Sequence, residues 1–123
     1  MFAEKYGSKL VDWGIDTKDF KFLKMEEVYN AFGKTHRING MYITDGKFGK
    51  QAVLILAERK VLMNIPSRMV ETVNEIMHDK EAIEAIKRGV AGVEIYSYTP
   101  KNYPGKICYS VNFIDMLDDG LPY

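Results

Sequence analysis

The segment RINGMYITDGKFGKQAVLILAERKVLMNIP, residues 37–66, decides the fold. It holds three runs of β-forming residues, at 37–44, 51–57 and 60–65. Asp45-Gly46 is a turn signal after the first run. Glu58-Arg59 leaves so short a connection after the second run that the third is expected as its antiparallel neighbour. The middle run, QAVLILA, is continuously apolar, which is typical of a strand buried on both sides. Three consecutive strands are therefore predicted.

Two helices and two further strands follow this segment. Pro66 ends the third strand, and Ser67 is placed to cap a helix that continues to His78. Asp79 predicts a second cap, and Gly89 predicts the end of that second helix. The runs AGVEIYSYT (91–99) and KICYSVNFI (106–114) alternate between apolar and polar residues and predict two strands. The residues between them, 99–106, predict a loop.

This order of elements predicts a mainly β fold. Strand, strand, strand, helical segment, strand, strand is the order of an OB-fold, a five-stranded Greek-key barrel with a helical segment between strands 3 and 4. Asn39-Gly40 offers a second interpretation, a two-residue hairpin turn that would divide the first strand. We expect instead a continuous strand kinked at Gly40, because a long first strand has to bend to serve both sides of a small barrel.

Length and composition fit one soluble domain. The 123 residues are 46% hydrophobic and 28% charged, which is enough for an ordinary core. We expect a packed N-terminal extension, an OB-fold domain and an acidic C-terminal tip, at residues 1–19, 20–115 and 116–123. The single cysteine, Cys108, excludes an internal disulfide, and no stretch resembles a signal peptide or a membrane span. A cytoplasmic protein is therefore expected.

No catalytic or metal-binding constellation stands out in the sequence. His36 and His78 are far apart, and one cysteine with two isolated histidines lacks the spacing of a metal site. The stretch GKFGK lacks the spacing and the lysine-serine or lysine-threonine end of a phosphate-binding loop. We therefore expect a protein that is not an enzyme and uses no cofactor or metal.

Basic and aromatic residues concentrate in the two loops with which an OB-fold binds oligonucleotides, those joining strands 1–2 and 4–5. Seventeen basic and seventeen acidic residues cancel overall, but they are segregated along the chain. Each loop places one aromatic residue among lysines: Lys47, Phe48 and Lys50, then Lys101, Tyr103 and Lys106. A basic track would continue through Lys34, Arg37, Arg59 and Lys60. Further stacking candidates are Tyr42, Tyr96 and Tyr98.

Single-stranded nucleic acid needs such a combination, because cations hold the phosphates and aromatic rings stack on the bases. Each feature also has a structural alternative. Lysine and glycine in a hairpin loop are common in a solvated turn, Phe48 could pack onto the barrel, and the tyrosines could cover the sheet. The matching positions of the two loops in the predicted fold favour nucleic-acid binding.

The last six residues, DDGLPY, resemble the acidic C-terminal tip of bacterial single-stranded DNA-binding proteins, which ends in aspartates, an isoleucine, a proline and a phenylalanine. On this resemblance the partner-binding residues are Asp118, Asp119, Leu121, Pro122 and Tyr123. The resemblance implies that the tip docks on replication and recombination proteins. Three departures are visible: Gly120 stands where an acid is expected, Tyr123 replaces phenylalanine, and no long linker precedes the tip.

The body of the chain, from about Phe20 to Asp115, resembles the small single-stranded DNA-binding proteins of phages and prophages, which also have an OB-fold. The expected function is therefore non-catalytic coating of single-stranded DNA in replication or recombination. The resemblance further implies a homo-oligomer. The alternative left open is an OB-like module that binds only other proteins, which the near-zero net charge favours.

Overall fold

Strands are the commonest element of the structure, a computed structural model that describes residues 11–47 and 49–116. Its strands are β1 Lys21–Leu23, β2 Thr35–Arg37, β3 Gly40–Gly46, β4 Gly49–Leu56, β5 Val61–Ile65, β6 Ala91–Tyr98 and β7 Cys108–Asp115. Its α-helices are α1 Met25–Phe32, α2 Val70–Met77 and α3 Lys80–Arg88. Two short 3-10 turns lie at Ala57–Arg59 and Ser67–Met69. No helix in these two ranges is long and apolar enough to cross a bilayer.

The strands form two sheets, which confirms a mainly β fold. One sheet has the order β1-β5-β4-β3, and the other has the order β2-β6-β7. All pairs are antiparallel except β1 with β5, which is parallel. The described residues do not form the closed barrel that the element order predicts. A closed barrel would need β5 to pair with β7. The free edge of β5 is instead paired with β1, and α1 packs between β5 and β7.

The chain passes from one sheet to the other at Ile38 and Asn39. Ile38 N–H donates to the carbonyl of Ala91 in the three-stranded sheet, and Asn39 N–H donates to the carbonyl of Ile55 in the four-stranded sheet. β2 and β3 are therefore two halves of one bent strand that serves both sheets. β2 and β3 do not pair with each other, so Asn39-Gly40 is not a hairpin turn, as predicted; the break in the strand lies at Ile38 and Asn39, however, and not at Gly40. Asn39 Oδ1 also accepts a hydrogen bond from Ala57 N–H at 3.0 Å, which holds the bend.

The main core lies between the inner faces of the two sheets. From β4 it receives Ala52, Leu54 and Leu56, and from β6 it receives Val93 and Ile95. The alternate β4 residues, at 53 and 55, point to the other side and are also fully or almost fully buried. The prediction that this strand is covered on both faces is thus confirmed.

Residues 11–20, which we call the N-terminal strap, cover the outer face of the four-stranded sheet. Trp13, Ile15 and Phe20 pack there against an apolar cluster centred on β4 and β5. The indole N–H of Trp13 donates to the carbonyl of Met41 at 2.7 Å. Gly40 makes this close approach possible, because a Cβ atom there would lie 2.6 Å from Trp13 Cγ.

The two predicted helices between β5 and β6 are present. Asp79 caps α3 by accepting hydrogen bonds from the N–H groups of Glu81 and Ala82, and Gly89 ends the helix in a left-handed conformation, with φ of 80°. The predicted Ser67 cap is wrong. Ser67 begins the 3-10 turn, and α2 starts only at Val70 without a capping side chain.

Helix α1 was not predicted from the sequence. Its N-cap position is Lys24, whose side chain cannot accept a hydrogen bond from the helix. The capping signal at its N-terminus is Glu27, which accepts a hydrogen bond from Lys24 N–H at 2.9 Å. Packing stabilises the helix, because Val28 is fully buried and Tyr29 contacts the ring of Tyr109 on β7.

Candidate nucleic-acid interface

The outer face of the three-stranded sheet carries two neighbouring tyrosines. Because side chains alternate along β6, Val93 and Ile95 face the core while Tyr96 and Tyr98 share the outer face. The two tyrosine rings are 6.1 Å apart and tilted by 43°. Both side chains are half-buried, so part of each ring remains accessible from solvent.

Arg68 brings a cation to this pair of tyrosines. Its guanidinium lies 5.9 Å from the ring centroid of Tyr98, within cation–π range. One guanidinium nitrogen donates to the buried Ser110 hydroxyl at 2.8 Å, and the other lies 3.4 Å from the Tyr98 hydroxyl. The bond to Ser110, on the neighbouring strand β7, fixes the charge beside the tyrosine ring.

Nothing in the sequence identified Arg68 as part of a site. A single arginine just after a proline resembles any solvated residue at the start of a helix. Its placement depends on the 3-10 turn at Ser67–Met69, which directs the side chain to β6 and β7. The one available signal was the outer-face alternation of Tyr96, Tyr98 and Ser110, which predicts a polar and aromatic surface that a cation can complete.

The loop between β6 and β7 extends this surface. Tyr103 is 63% exposed, and the Lys106 ammonium lies 5.6 Å from its ring centroid. Two successive turns shape the loop, since Tyr103 N–H donates to the Pro100 carbonyl and Lys106 N–H donates to the Tyr103 carbonyl. Lys101 is also exposed. The predicted combination of lysines and a tyrosine is therefore available to a ligand at this loop.

The other predicted loop, between β3 and β4, is partly described. Lys47 and Lys50 are exposed, and Lys50 forms an ion pair with Asp45 at 3.6 Å. Phe48 lies outside the described residues. The strand register places the two loops at opposite ends of the bent strand formed by β2 and β3. The loop between β3 and β4 follows its C-terminal end, and the loop between β6 and β7 lies beyond its N-terminal end.

Tyr42 lies away from the tyrosine pair, on the outer face of the four-stranded sheet. It packs into the cluster beneath the N-terminal strap together with Trp13 and Phe20. Burial raises the pKa of the Tyr42 hydroxyl above its usual value of 10.0.

Two predicted arginines meet at the edge of the three-stranded sheet. Arg37 and Arg59 line one cleft of about 100 Å³ together with Glu58 and His36. The exposed Lys34 and Lys60 flank it in sequence. Burial lowers the pKa of His36 below 6.5, and the nearby positive charge of Arg59 lowers it further. His36 Nε2–H donates to the Gly33 carbonyl at 2.8 Å, which orients the ring.

Within residues 11–47 and 49–116, no group of three or more histidine, cysteine or acidic side chains could hold a metal ion. The predicted tip residues, Asp118 to Tyr123, lie outside the described residues. No protein-family model matches the chain, and neither a curated protein nor a solved structure shows significant similarity to it.

Proposed function

We propose that this protein binds single-stranded DNA without catalysing a reaction, and that the outer face of the three-stranded sheet is its stacking surface. One observation carries the proposal. Tyr96 and Tyr98 lie side by side on that face, and Arg68 is fixed over the second ring by its hydrogen bond to Ser110. The loop with Lys101, Tyr103 and Lys106 continues the same chemistry.

The proposal follows from the needs of a flexible polyanion with exposed bases. Stacking of a base on an aromatic side chain contributes about 1–3 kcal/mol and tolerates any base, while arginine and lysine neutralise the phosphates. Because neither stacking nor phosphate contact reads the base edges, we expect little sequence preference. Association should weaken as salt rises, because phosphate contacts release counterions.

We interpret the fold as an opened relative of the OB-fold. The order of the five predicted strands, the bent strand shared by both sheets and the helices between β5 and β6 support this interpretation. An OB-fold binds oligonucleotides on the face of its strands 2 and 3, which correspond here to β4 and β5. The N-terminal strap covers that face, so the interface we propose lies on the opposite sheet.

The tip and the assembly state complete the proposal. On the resemblance to bacterial single-stranded DNA-binding proteins, Asp118, Asp119, Leu121, Pro122 and Tyr123 would contact replication or recombination proteins in the cytoplasm, of a host cell if the chain is phage-encoded. A homo-oligomer would lengthen the footprint of about 4–16 nucleotides that one OB-fold covers. Sedimentation that shows a strict monomer, with and without DNA, would remove the oligomer.

The decisive experiment is fluorescence anisotropy with labelled oligothymidine of about 16 nucleotides and a duplex of equal length, at low and at moderate salt. We expect a clear preference for the single strand. Tyr98→Ala should weaken binding about five-fold or more, the equivalent of about 1 kcal/mol. Tyr98→Phe is the matched control, because it keeps the ring and loses only the hydroxyl near Arg68, and it should bind almost as the parent chain does.

Two results would overturn the proposal. Equal losses in Tyr98→Ala and Tyr98→Phe would show that the hydroxyl, and not the stacking ring, matters. If the parent chain binds neither oligonucleotide at low salt, the module that binds only other proteins becomes the better account, in line with the zero net charge.

A further inference from the structure

Two residues of the cleft at the edge of the three-stranded sheet, Thr35 and Arg37, lie on the same outer face as the tyrosine pair. Arg37 is opposite Gly92, and Thr35 is opposite Glu94, which is two residues from Tyr96 on β6. Residues directly opposite each other in an antiparallel pair point to the same face. Arg37 and the two tyrosines therefore lie on one face of the sheet, with the buried Met116 side chain packed over Gly92, opposite Arg37.

A further aromatic residue, Phe32, lies beside one of the two arginines that line this cleft. Phe32, the last residue of α1, is 38% exposed, and the guanidinium of Arg59 lies 5.1 Å from its ring centroid. Arg59 also lines the cleft that Arg37 lines. An exposed phenylalanine and two guanidinium groups thus occupy one small region that three different segments build.

The Arg37 side chain is held in place. Its exposed fraction is 18%, one guanidinium nitrogen lies 3.6 Å from Glu58 Oε1, and the side chain passes Gly89 so closely that a Cβ atom there would lie 3.4 Å from Arg37 Cδ. Among the residues that line the cleft are two with guanidinium groups, Arg37 and Arg59, and one with a carboxylate, Glu58. This balance favours an anionic ligand.

We propose that this cleft is a second subsite for the same single strand, where Arg37 and Arg59 hold a phosphate and Phe32 stacks on a base. This inference rests on the proposed function. Arg37 lies level with Gly92, six residues along β6 from Tyr98, which is about 20 Å at about 3.3 Å per residue. One DNA strand of several nucleotides can therefore reach both positions, and the bound DNA would run along β6 from the tyrosines to the cleft.

The test combines affinity with a map of the stacked residues. Oligothymidine of about 16 nucleotides, with 5-iodouracil at single positions, is bound to the full chain and irradiated, and cross-linked peptides are identified by mass spectrometry. We expect cross-links to Tyr96 or Tyr98 and, from other positions of the same strand, to Phe32. Phe32→Ala should lose only the second set and weaken binding about five-fold.

Charge provides an independent arm. Arg59→Ala should weaken binding and reduce the slope of log affinity against log salt by about 0.7, the value for one phosphate of a single strand. The controls are Phe22→Ala, an exposed phenylalanine on β1, and Lys80→Ala, an exposed lysine on α3. Both controls should bind as the parent chain does, and circular dichroism verifies that each variant is folded.

The outcomes separate the two proposals. Cross-links confined to Tyr96 and Tyr98, with unchanged affinity in Phe32→Ala, would overturn the second subsite and leave the proposed function intact. Equal losses in Arg59→Ala and Lys80→Ala would also overturn it, since the contribution would then be general charge. Absence of binding and of any cross-link in the parent chain would overturn both.

Discussion

The packing of Trp13 against Gly40 predicts a specific energetic coupling. In Gly40→Ala the new methyl group would lie 2.6 Å from Trp13 Cγ and 2.9 Å from both Trp13 Cδ1 and Ile55 Cδ1. Carbon atoms prefer about 3.5–4.0 Å, so the indole ring must shift by about 1 Å. That shift strains its 2.7 Å hydrogen bond to the Met41 carbonyl. Overpacking of this kind costs about 1–3 kcal/mol.

A smaller effect opposes this cost. Glycine within a strand is less favourable than alanine by about 0.5–1 kcal/mol, because it loses more conformational freedom on folding. We therefore expect Gly40→Ala to lower the free energy of unfolding by about 1–2 kcal/mol, measured by urea denaturation followed by far-ultraviolet circular dichroism. In a Trp13→Ala background only the clash with the flexible end of Ile55 remains, and the gain in conformational entropy offsets it, so the same substitution should cost almost nothing.

The matched control is Gly46→Ala at the end of β3. Its new methyl group meets only atoms of the Gln51 side chain among its nearest neighbours, and that side chain can move towards solvent, so little change is expected. The reasoning would be refuted if Gly40→Ala cost the same in the parent and Trp13→Ala backgrounds. The coupling energy from this double-mutant cycle is then zero, although residues in contact normally show about 0.5–3 kcal/mol.

Three further predictions concern charge. The pKa of His36 lies below 6.5 in the folded chain, so on acidification the unfolded chain binds the proton first. The free energy of unfolding should therefore be highest above about pH 6.5 and fall as the pH drops towards the folded pKa. In His36→Gln the fall should be smaller. Glu94→Gln removes a carboxylate between the tyrosines and Arg37, so affinity for long oligothymidine should rise about two-fold or more; an unchanged anisotropy curve would contradict the path along β6. Deletion of residues 118–123 removes two aspartates and should preserve or tighten DNA binding while abolishing capture of replication proteins, and weaker DNA binding would contradict the assigned role of the tip.

The sequence predicted those elements whose apolar pattern or cap residues match the way the element is buried or ended in the structure. The apolar run in β4 and the alternation in β6 gave correct strands, because one or both faces of each are covered. Asp79 and Gly89 marked the ends of α3 because their own backbone and side-chain chemistry fixes those ends. A bend at Gly40 was expected from the need of one strand to serve both sides of a small barrel, and the structure places it at Ile38 and Asn39.

Other features depend on contacts between distant segments and were missed. Helix α1 begins without an N-cap side chain and is stabilised by packing across the gap between β5 and β7, which no local pattern reports. β1 is only three residues long and exists through its pairing with β5. Arg68 and Phe32 are ordinary surface residues in the sequence, and only the fold brings them to Tyr98 and Arg59.

The covering of the four-stranded sheet by the N-terminal strap was anticipated only in part. An extension packed on the domain was expected, but not that Trp13 would lie over Gly40 or that Tyr42 would join the same cluster. Tyr42 was a stacking candidate because the sequence does not show whether a strand tyrosine lies beneath a covering segment or on an open face. The face to which β3 directs it depends on the bend before Gly40.

The position of Trp13 also gives the protein an intrinsic optical probe. It is the only tryptophan in the chain, its ring is half-buried, and its N–H is bonded to the Met41 carbonyl. Emission excited at the red edge of the absorption band therefore reports on one place, the contact between residues 11–20 and the sheet. Lifting of this segment would move the emission to longer wavelength and open the indole to acrylamide quenching. Titration with oligothymidine would then reveal, without any label on the protein, whether the covered face stays closed while DNA occupies the opposite sheet.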